Sequence, residues 1–385
     1  MVVHGGYPEP RVAREALAAR DAGWQVDVVA MRRPDEPPVE LVDGIAVLRL
    51  PFSHRWRAGA LDTAREYLGF TALACARVGA LAVRRRYEVV HIHNPPDFLM
   101  LAAVVPRLFG ARVVLDVHDF APELFAERFG TGRGSVAAKR VLDFVEALAT
   151  RFATAVVTVH DPYRRALEAR GVPPEKITVV LNSLDERLVP AATAPAEREG
   201  FRVVYHGSIT PHYGIELLVE AAAQVAGEVP ELKLEIYGDG DALRNVRSRV
   251  EELGLSDRVY LSGRFLLHGD VLERVRSASV GVICSLPVER NKVAVPTKIF
   301  EYALLGVPIV TVDRPSIREY FSPRELRFFR AGNADDLAEA LREVAAAPEV
   351  AAARAEAARR RYDEYRWSLS ARRYVELLDR LSQAA

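Results

Sequence analysis

The stretch Val295-Pro-Thr-Lys-Ile-Phe-Glu-Tyr-Ala-Leu-Leu-Gly-Val-Pro-Ile-Val-Thr311 holds one short helix and the strand that follows it. Pro296 and Thr297 suit a first helical turn, where the missing proline N–H has no intrahelical partner to lose. Lys298 and Glu301 are three residues apart and share a helix face. Ile299, Phe300, Ala303 and Leu304 supply an apolar stripe, and Gly306 fits the position just past a helix end. Pro308 then leads the β-branched run Ile309 to Val312, which reads as a buried strand. A charged pair at a helix N-terminus beside a buried parallel strand is a setting in which α/β proteins hold phosphorylated ligands. The same pattern also fits an ordinary amphipathic helix with a surface ion pair.

Outward from this stretch, strand and helix patterns alternate almost from end to end. Upstream run the strand 280–284, the helix 271–277, the strands 259–261 and 233–237, and the helices 242–253 and 215–226. A strand over 202–205 opens this series. Downstream lie helices over 334–346, 351–362 and 368–382. The segment 189–200 is rich in Ala, Pro and charge without periodicity, and reads as a linker. Before it the alternation covers residues 1–188, with strands at 25–30, 45–50, 89–93, 112–117, 155–159 and 177–181, and helices at 11–22, 60–86, 98–109, 135–152 and 162–170. The first strand, Met1 to His4, looks stunted and leads into a Gly5-Gly6 turn. Such alternation implies parallel sheets with right-handed crossovers. The expected organisation is an α/β domain over 1–188, a linker over 189–200, a second α/β domain over 201–366 and a terminal helix over 367–385.

The bulk composition narrows the function classes. At 385 residues the chain suits two cores. Its net charge is zero, so no basic field argues for nucleic acid. Two cysteines, Cys75 and Cys284, sit in apolar segments, too few for a disulfide framework or a cysteine zinc site. The N-terminus lacks a basic-then-apolar signal pattern. The most membrane-like run, Leu68 to Val83, is interrupted by Arg77 and reads as a buried helix. A cytoplasmic location is expected, with peripheral contact at the inner membrane face left open by the arginines flanking the 60–86 helix. No serine-hydrolase elbow, Walker loop or His-Glu-x-x-His is present.

Several residues can carry chemistry. Gly5 and Gly6 can cradle a phosphate with backbone N–H groups. Tyr237-Gly-Asp-Gly-Asp241 follows a strong strand, and Gly238 and Gly240 let a ligand approach. His91 and His93 share one strand face, with Asn94 next. A metal pair there would need a third ligand, and none is close in sequence, so no metal is expected. His118 and Asp119 lie at the carboxyl end of their strand, where α/β sites occur. Arg264 offers a fork of donors for phosphate. The charged loop Ser285 to Lys292 faces the opening stretch.

These residues resemble the GT-B glycosyltransferases, specifically the retaining family 4 type. Tyr7-Pro-x-Pro-Arg11-Val12 with Gly23-Trp24-x-Val26 looks like the family's opening. Asp116-Val-His118-Asp119 with Pro122-Glu123 looks like its mid-domain loop, and Tyr205-His-Gly207-Ser208 before Tyr213-Gly214-Ile215-Glu216 like the start of its second domain. Pro296-Thr297-Lys298-Ile299-x-Glu301-Tyr302, then Gly306-x-Pro308, is the most specific match, and Tyr365-Arg-Trp367 before the last helix also fits. The resemblance implies two Rossmann-like domains with parallel sheets facing across a cleft, the last helix packing back on the first.

The resemblance also implies roles. Glu301 would bind the ribose of a nucleotide-diphosphate sugar, which is a co-substrate rather than a cofactor. Lys298 and Arg264, helped by the backbone amides of Gly5 and Gly6, would oppose the diphosphate, and Gly207, Ser208, Thr297 and Ile299 would belong to the donor site. Gly238 and Gly240 would line the base pocket. His118 and Asp119 would act near the reacting carbon, with His93 and Asn94 toward a glycan, lipid-linked or small-molecule acceptor. The family's second glutamate is replaced by Val293, and Glu289 is the substitute candidate. The basic pair common after the second domain's first strand is missing from Ser208 to Tyr213. The implied activity is a metal-independent retaining transfer to a hydroxyl. Two alternatives stay open: a nucleotide-sugar epimerase of the same fold, and a non-catalytic nucleotide-sugar-binding partner.

Overall fold

The computed structural model of the chain describes residues 1–52, 59–130, 133–189 and 200–383. Most of the expected linker, 190–199, lies outside the described residues. The chain divides into two compact units, Met1–Asn182 with Ser368–Ala385, and Ser183–Trp367.

The first unit begins with β1 (Val2–Gly6), α1 (Pro10–Asp21), β2 (Asp27–Met31), β3 (Val39–Val42) and β4 (Ile45–Leu50). It continues with α2 (Ala60–Arg85), β5 (Val89–His93), a 3-10 turn over Asp97–Ala103, α3 (Val104–Leu108) and β6 (Arg112–Val117). Then come α4 (Ala121–Phe129), α5 (Arg133–Phe152), β7 (Ala155–Thr158), α6 (Asp161–Ala169) and β8 (Ile177–Val179). The strands form one sheet in the order β3-β4-β2-β1-β5-β6-β7-β8, parallel except where β3 pairs antiparallel with β4.

The second unit holds β9 (Phe201–His206), α7 (Ile215–Val225), β10 (Leu232–Tyr237), α8 (Leu243–Glu252), β11 (Val259–Leu261) and α9 (His268–Arg276). It closes with β12 (Val280–Ile283), α10 (Lys298–Leu304), β13 (Ile309–Val312), α11 (Pro315–Arg318), β14 (Arg327–Phe329), α12 (Ala334–Ala346) and α13 (Pro348–Tyr362). Its sheet runs β11-β10-β9-β12-β13-β14, and all its pairs are parallel. The last helix, α14 (Trp367–Gln383), belongs to the first unit from Ser368 onward.

Each sheet has a switch point, where the order of strands reverses about the first strand. In the first unit it lies between β1 and β5, in the second between β9 and β12. Parallel α/β sheets bind ligands outside the carboxyl ends of their strands at such points.

Three local expectations change. The first strand is five residues long and includes Gly5 and Gly6, so these glycines are strand rather than turn. A methyl on Gly6 would come within 2.8 Å of Arg33 Nε, the far end of a mostly exposed side chain that would have to move aside. The opening stretch starts its helix at Lys298; Pro296 and Thr297 form the turn before it, with the Ile299 and Phe300 amides donating to their carbonyls. Gly306 does end that helix, at φ 65°, and the Val307 amide donates to the Tyr302 carbonyl.

One helix among the described residues, Leu61–Arg85, is long and apolar enough to cross a membrane. Phe70, Ala74, Val78 and Ala82, at helical spacing, are buried in the first unit.

Candidate active site

In the second unit the switch point collects the residues of the opening stretch. β9 ends at His206, and Gly207 follows. The Gly207 amide donates to the Tyr237 carbonyl at 2.8 Å, which locks the β9 and β10 loops together. A methyl on Gly238 would meet the Gly207 carbonyl oxygen at 1.8 Å, and one on Gly240 the Ile209 carbonyl at 2.3 Å. Both glycines are therefore required by backbone packing, whatever a ligand asks of them. Ser208 is exposed at this loop, and its carbonyl accepts from the Tyr205 hydroxyl.

Lys298 reaches the same place from the first turn of α10. Its ammonium lies 3.9 Å from the Tyr205 ring centre and 4.9 Å from that of Tyr213. A methyl on Gly207 would sit 3.3 Å from Lys298 Nζ, a tight contact that would press on the ammonium, and Gly207 is held at φ 112°, which favours glycine. Lys298 is buried, and no carboxylate pairs with it at salt-bridge distance among the described residues. Burial lowers its pKa to about 8, against weaker opposing pulls from Cys284 and Glu301. Aromatic faces attract the cation but do not neutralise it.

Glu301, one turn on, is buried too. Its Oε2 lies 3.1 Å from His206 Nε2 and its Oε1 3.8 Å from His268 Nε2. Burial would raise the carboxyl's pKa, but His206, then His268 and Lys298, outweigh it and hold the group below the ordinary carboxylate range. His206 also packs edge-on against Tyr302, with ring centres 5.2 Å apart. Neither histidine was a candidate from sequence. The signal for His206 was a polar residue ending an otherwise apolar strand, the same signal that singled out His118. Arg314, another buried cation missed from sequence, donates to the Asn291 carbonyl, and burial lowers its pKa to about 10.

Other candidates fare differently. Arg264 is exposed, on a loop tied back through Ser262, whose hydroxyl donates to the Arg264 carbonyl and accepts from the Gly238 amide. Thr297 is half-buried. Ile299 is fully buried and its amide is engaged by Pro296, which leaves neither its side chain nor its N–H to a ligand. Glu289 stands in solvent in a 3-10 turn, paired with Lys292 at 2.6 Å. It does not join the Lys298–Glu301 cluster and so does not replace the glutamate missing at Val293.

The first unit carries a second cluster at the carboxyl ends of β5 and β6. Arg11 Nε donates to Asp116 Oδ2 at 2.6 Å, Nη2 to Oδ1 at 3.1 Å and Nη1 to the Val180 carbonyl at 3.0 Å. Glu15 Oε1 lies 3.2 Å from Arg11 Nη2. His93 Nδ1 lies 3.1 Å from Asp116 Oδ2, and His91 Nδ1 2.9 Å from the Tyr374 hydroxyl on α14. Burial favours a neutral Asp116, yet Arg11 and then His118 and His93 outweigh it and hold the carboxylate well ionised. His118, its side chain 23% exposed, lies 3.7 Å from Asp116. Burial opposes its charge, but Asp116 prevails and lifts its pKa to about 9.

His93 and Asn94 were expected to face an acceptor. Both are buried and internally bonded. Asn94 donates to Asp97 and to the Asp119 carbonyl, and its own oxygen accepts from the His118 and Asp119 amides at 3.1 and 3.4 Å. Asn94 thereby fixes the backbone of His118 and Asp119, and His93 is turned to Asp116. Ligating atoms of Glu15, His91, His93 and Asp116 lie within 4.8 Å of one another. The Arg11 guanidinium already bridges both carboxylates of that group, so a divalent ion there would be forced against a buried cation.

With this geometry in view, comparison with known proteins identifies the class. Residues 8–183 match the family described as glycosyl transferase 4-like domain, and residues 193–361 match glycosyl transferases group 1. The chain belongs to the glycosyltransferases of the GT-B fold, enzymes that draw on nucleotide sugars. Among curated relatives, 2-deoxystreptamine glucosyltransferase of Streptomyces kanamyceticus is 24% identical over 78% of this chain and 79% of its own. Sucrose-phosphate synthase from Thermosynechococcus elongatus shares the fold at a TM-score of 0.79, with 20% identity over 100% of this chain and 96% of the other. Anabaena HepE, solved with UDP-glucose, gives a TM-score of 0.72 at 17% identity, covering 98% of each chain.

Proposed function

We propose that this chain moves a sugar from a nucleotide-diphosphate sugar to a hydroxyl acceptor, with retention at the anomeric carbon and without a resident metal ion. The observation that carries this reading is Lys298, a buried ammonium without a paired carboxylate among the described residues, one turn from the ionised Glu301 at the switch point of the second sheet. A diphosphate supplies the charge that Lys298 lacks. Glu301 accepts from the ribose hydroxyls, held in place by His206 and His268. Stabilising the leaving diphosphate in this way is worth about 10²–10³-fold in rate for one well-placed donor, and the cation takes the part a divalent ion would otherwise play.

In the transfer, the bond from the anomeric carbon to the phosphate oxygen breaks. The acceptor oxygen bonds to that carbon on the same face, and its proton passes to the departing phosphate. This route needs no carboxylate nucleophile, in contrast to retaining glycosidases, and agrees with a Glu289 that stands in solvent. His118, protonated at neutral pH, would donate to the donor sugar. The acceptor is a glycan, a lipid-linked sugar or a small molecule. A cytoplasmic location accords with the two free cysteines, Cys75 and Cys284.

The test incubates the protein with a panel of nucleotide sugars, with and without hydroxyl acceptors, in chelator. Acceptor-dependent release of nucleoside diphosphate is expected, with the product's anomeric configuration matching the donor's by NMR. Donor isomerisation without release would make the protein an epimerase. Donor binding with neither outcome would make it a binding partner.

A further inference from the structure

Most of the large apolar side chains that the described residues leave exposed lie on three helices of the first unit. Right-handed crossovers explain why they share one side. The connections β4-α2-β5, β5-α3-β6 and β6-α5-β7 all advance in the same direction along the sheet, whereas β1-α1-β2 runs the other way. Right-handed connections then place α2, α3 and α5 on one sheet face and α1 on the other. α2 packs along the 3-10 turn and α3, and α5 packs on the same 3-10 turn, so the outer sides of the three helices are continuous.

That outer surface carries exposed apolar and cationic side chains on the same helices. Leu68 and Val83 on α2, Leu108 and Phe109 at the end of α3, and Val141 and Phe144 on α5 are all exposed, Leu108 to 80% and Phe144 to 68%. Arg77, Arg84, Arg140 and Arg151 stand exposed on α2 and α5, with no carboxylate partner among the described residues. Of the acidic residues on the described side chains of these helices, Glu66 and Glu146 are buried, Asp143 is bonded to Lys139, and Asp62, exposed in the first turn of α2, lies 3.5 Å from Arg65. Soluble monomers rarely expose a continuous apolar patch of this kind. Helices with an apolar outer face and exposed arginines suit an interface between headgroups and acyl chains. Cations without a counterion among the described residues match an anionic surface rather than a neutral one.

We propose that the outer face of α2, α3 and α5 docks the protein on an anionic lipid bilayer, with Leu108 and Phe144 entering the interface and Arg77, Arg84 and Arg140 contacting headgroups. The helices lie on the membrane and do not span it, because the inner side of α2 is core. This inference stands independently of the donor site in the second unit.

The test is co-sedimentation of the full chain with phosphatidylcholine vesicles with and without phosphatidylglycerol, across a salt series. Binding is expected only with phosphatidylglycerol, and weakening as salt screens the arginines. The double variant Leu108→Glu with Phe144→Glu, and separately the triple variant Arg77→Glu, Arg84→Glu, Arg140→Glu, should each lower vesicle partition by about tenfold or more. Their melting temperature and donor binding should stay unchanged, since these side chains are exposed and belong to the other unit. Absence of vesicle binding overturns the proposal, as does binding that either variant leaves intact. A concentration-dependent dimer in sedimentation velocity, abolished by the Leu108/Phe144 variant while vesicles are ignored, would also overturn it and assign the face to a second copy of the chain.

Discussion

The two polar clusters sit at equivalent places, each at the carboxyl ends of a parallel sheet, yet they are built oppositely. In the first unit Arg11 pairs with Asp116 and Glu15, Asp116 also holds His93 and His118, and of these only His118 keeps an exposed edge. In the second unit Lys298 is buried against two tyrosine rings with no paired anion, and Glu301 is ionised but shared only with histidines. A closed network holds a shape. An open one stores unbalanced charge that a ligand of opposite sign can relieve. The difference assigns donor chemistry to the second unit and positioning to the first, and it can be broken by asking which cluster governs activity and which governs folding.

The largest expected effect is on transfer by Lys298→Met. Removing one donor to the leaving group should lower kcat/KM by about 10²–10³-fold. Folding stability should stay level or rise, because an unpaired buried cation is replaced by an apolar side chain of similar size. Loss of stability with activity retained would reverse the assignment. Arg11→Met should do the opposite. It leaves the ionised Asp116 buried without its counter-charge, at a cost of about 3–5 kcal/mol, read as a lower denaturation midpoint, while Glu15, whose carboxyl burial lifts to about 8, stays neutral. Donor affinity of the fraction that folds should change far less than in Lys298→Met.

How much of this contrast the sequence carried follows from the range of each interaction. The 295–311 stretch was legible because its helix end, its Lys298/Glu301 spacing and its β-branched strand are local, and the structure keeps all three. Only the first turn moved, since Pro296 and Thr297 lead into the helix rather than begin it. The strands over 89–93 and 112–117 were equally plain, each built on a short valine-rich apolar run, Val89-Val90 and Val113-Val114-Leu115. Arg11 with Asp116 was not legible, because the two are 105 residues apart and periodicity fixes a face but not a neighbour. For the same reason His93 and Asn94 read as ligand-facing, although strand alternation cannot say that both are enclosed. β3 escaped because Val39, Glu40 and Leu41 are all exposed, leaving no buried face for a period to mark. Gly238 and Gly240 read as ligand glycines, while the structure shows a backbone crossing that forbids any Cβ.

A smaller effect is expected at Glu301. Glu301→Ala should weaken donor affinity by about tenfold to a hundredfold, the worth of hydrogen bonds to a charged group, as measured by calorimetry with the intact donor. Unchanged affinity would remove Glu301 from the ribose. His206→Ala should give a fraction of that loss, since His206 acts through Glu301. Its effect should vanish in the Glu301→Ala background, a cycle that separates coupling from general damage.

The subtlest expectation concerns protons, and it tests the open charge directly. Burial brings the Lys298 ammonium down to about 8 in the free protein. The unfolded chain keeps its lysine near 10.4, so between these values the unfolded state binds more protons. The folded state therefore gains stability from this group as pH rises through that window and is burdened by it below pH 8. A bound diphosphate favours the charged form and lifts the pKa again. Donor binding above pH 8 should then take up as much as one proton, and affinity should fall as pH rises there. Calorimetry in buffers of different ionisation enthalpy reads the uptake. His118 also titrates near 9, so Lys298→Met is the control: it should abolish the uptake if Lys298 is the open charge and leave it intact if His118 is. Uptake that survives Lys298→Met would move the unbalanced charge to the first unit and collapse the contrast between the two clusters.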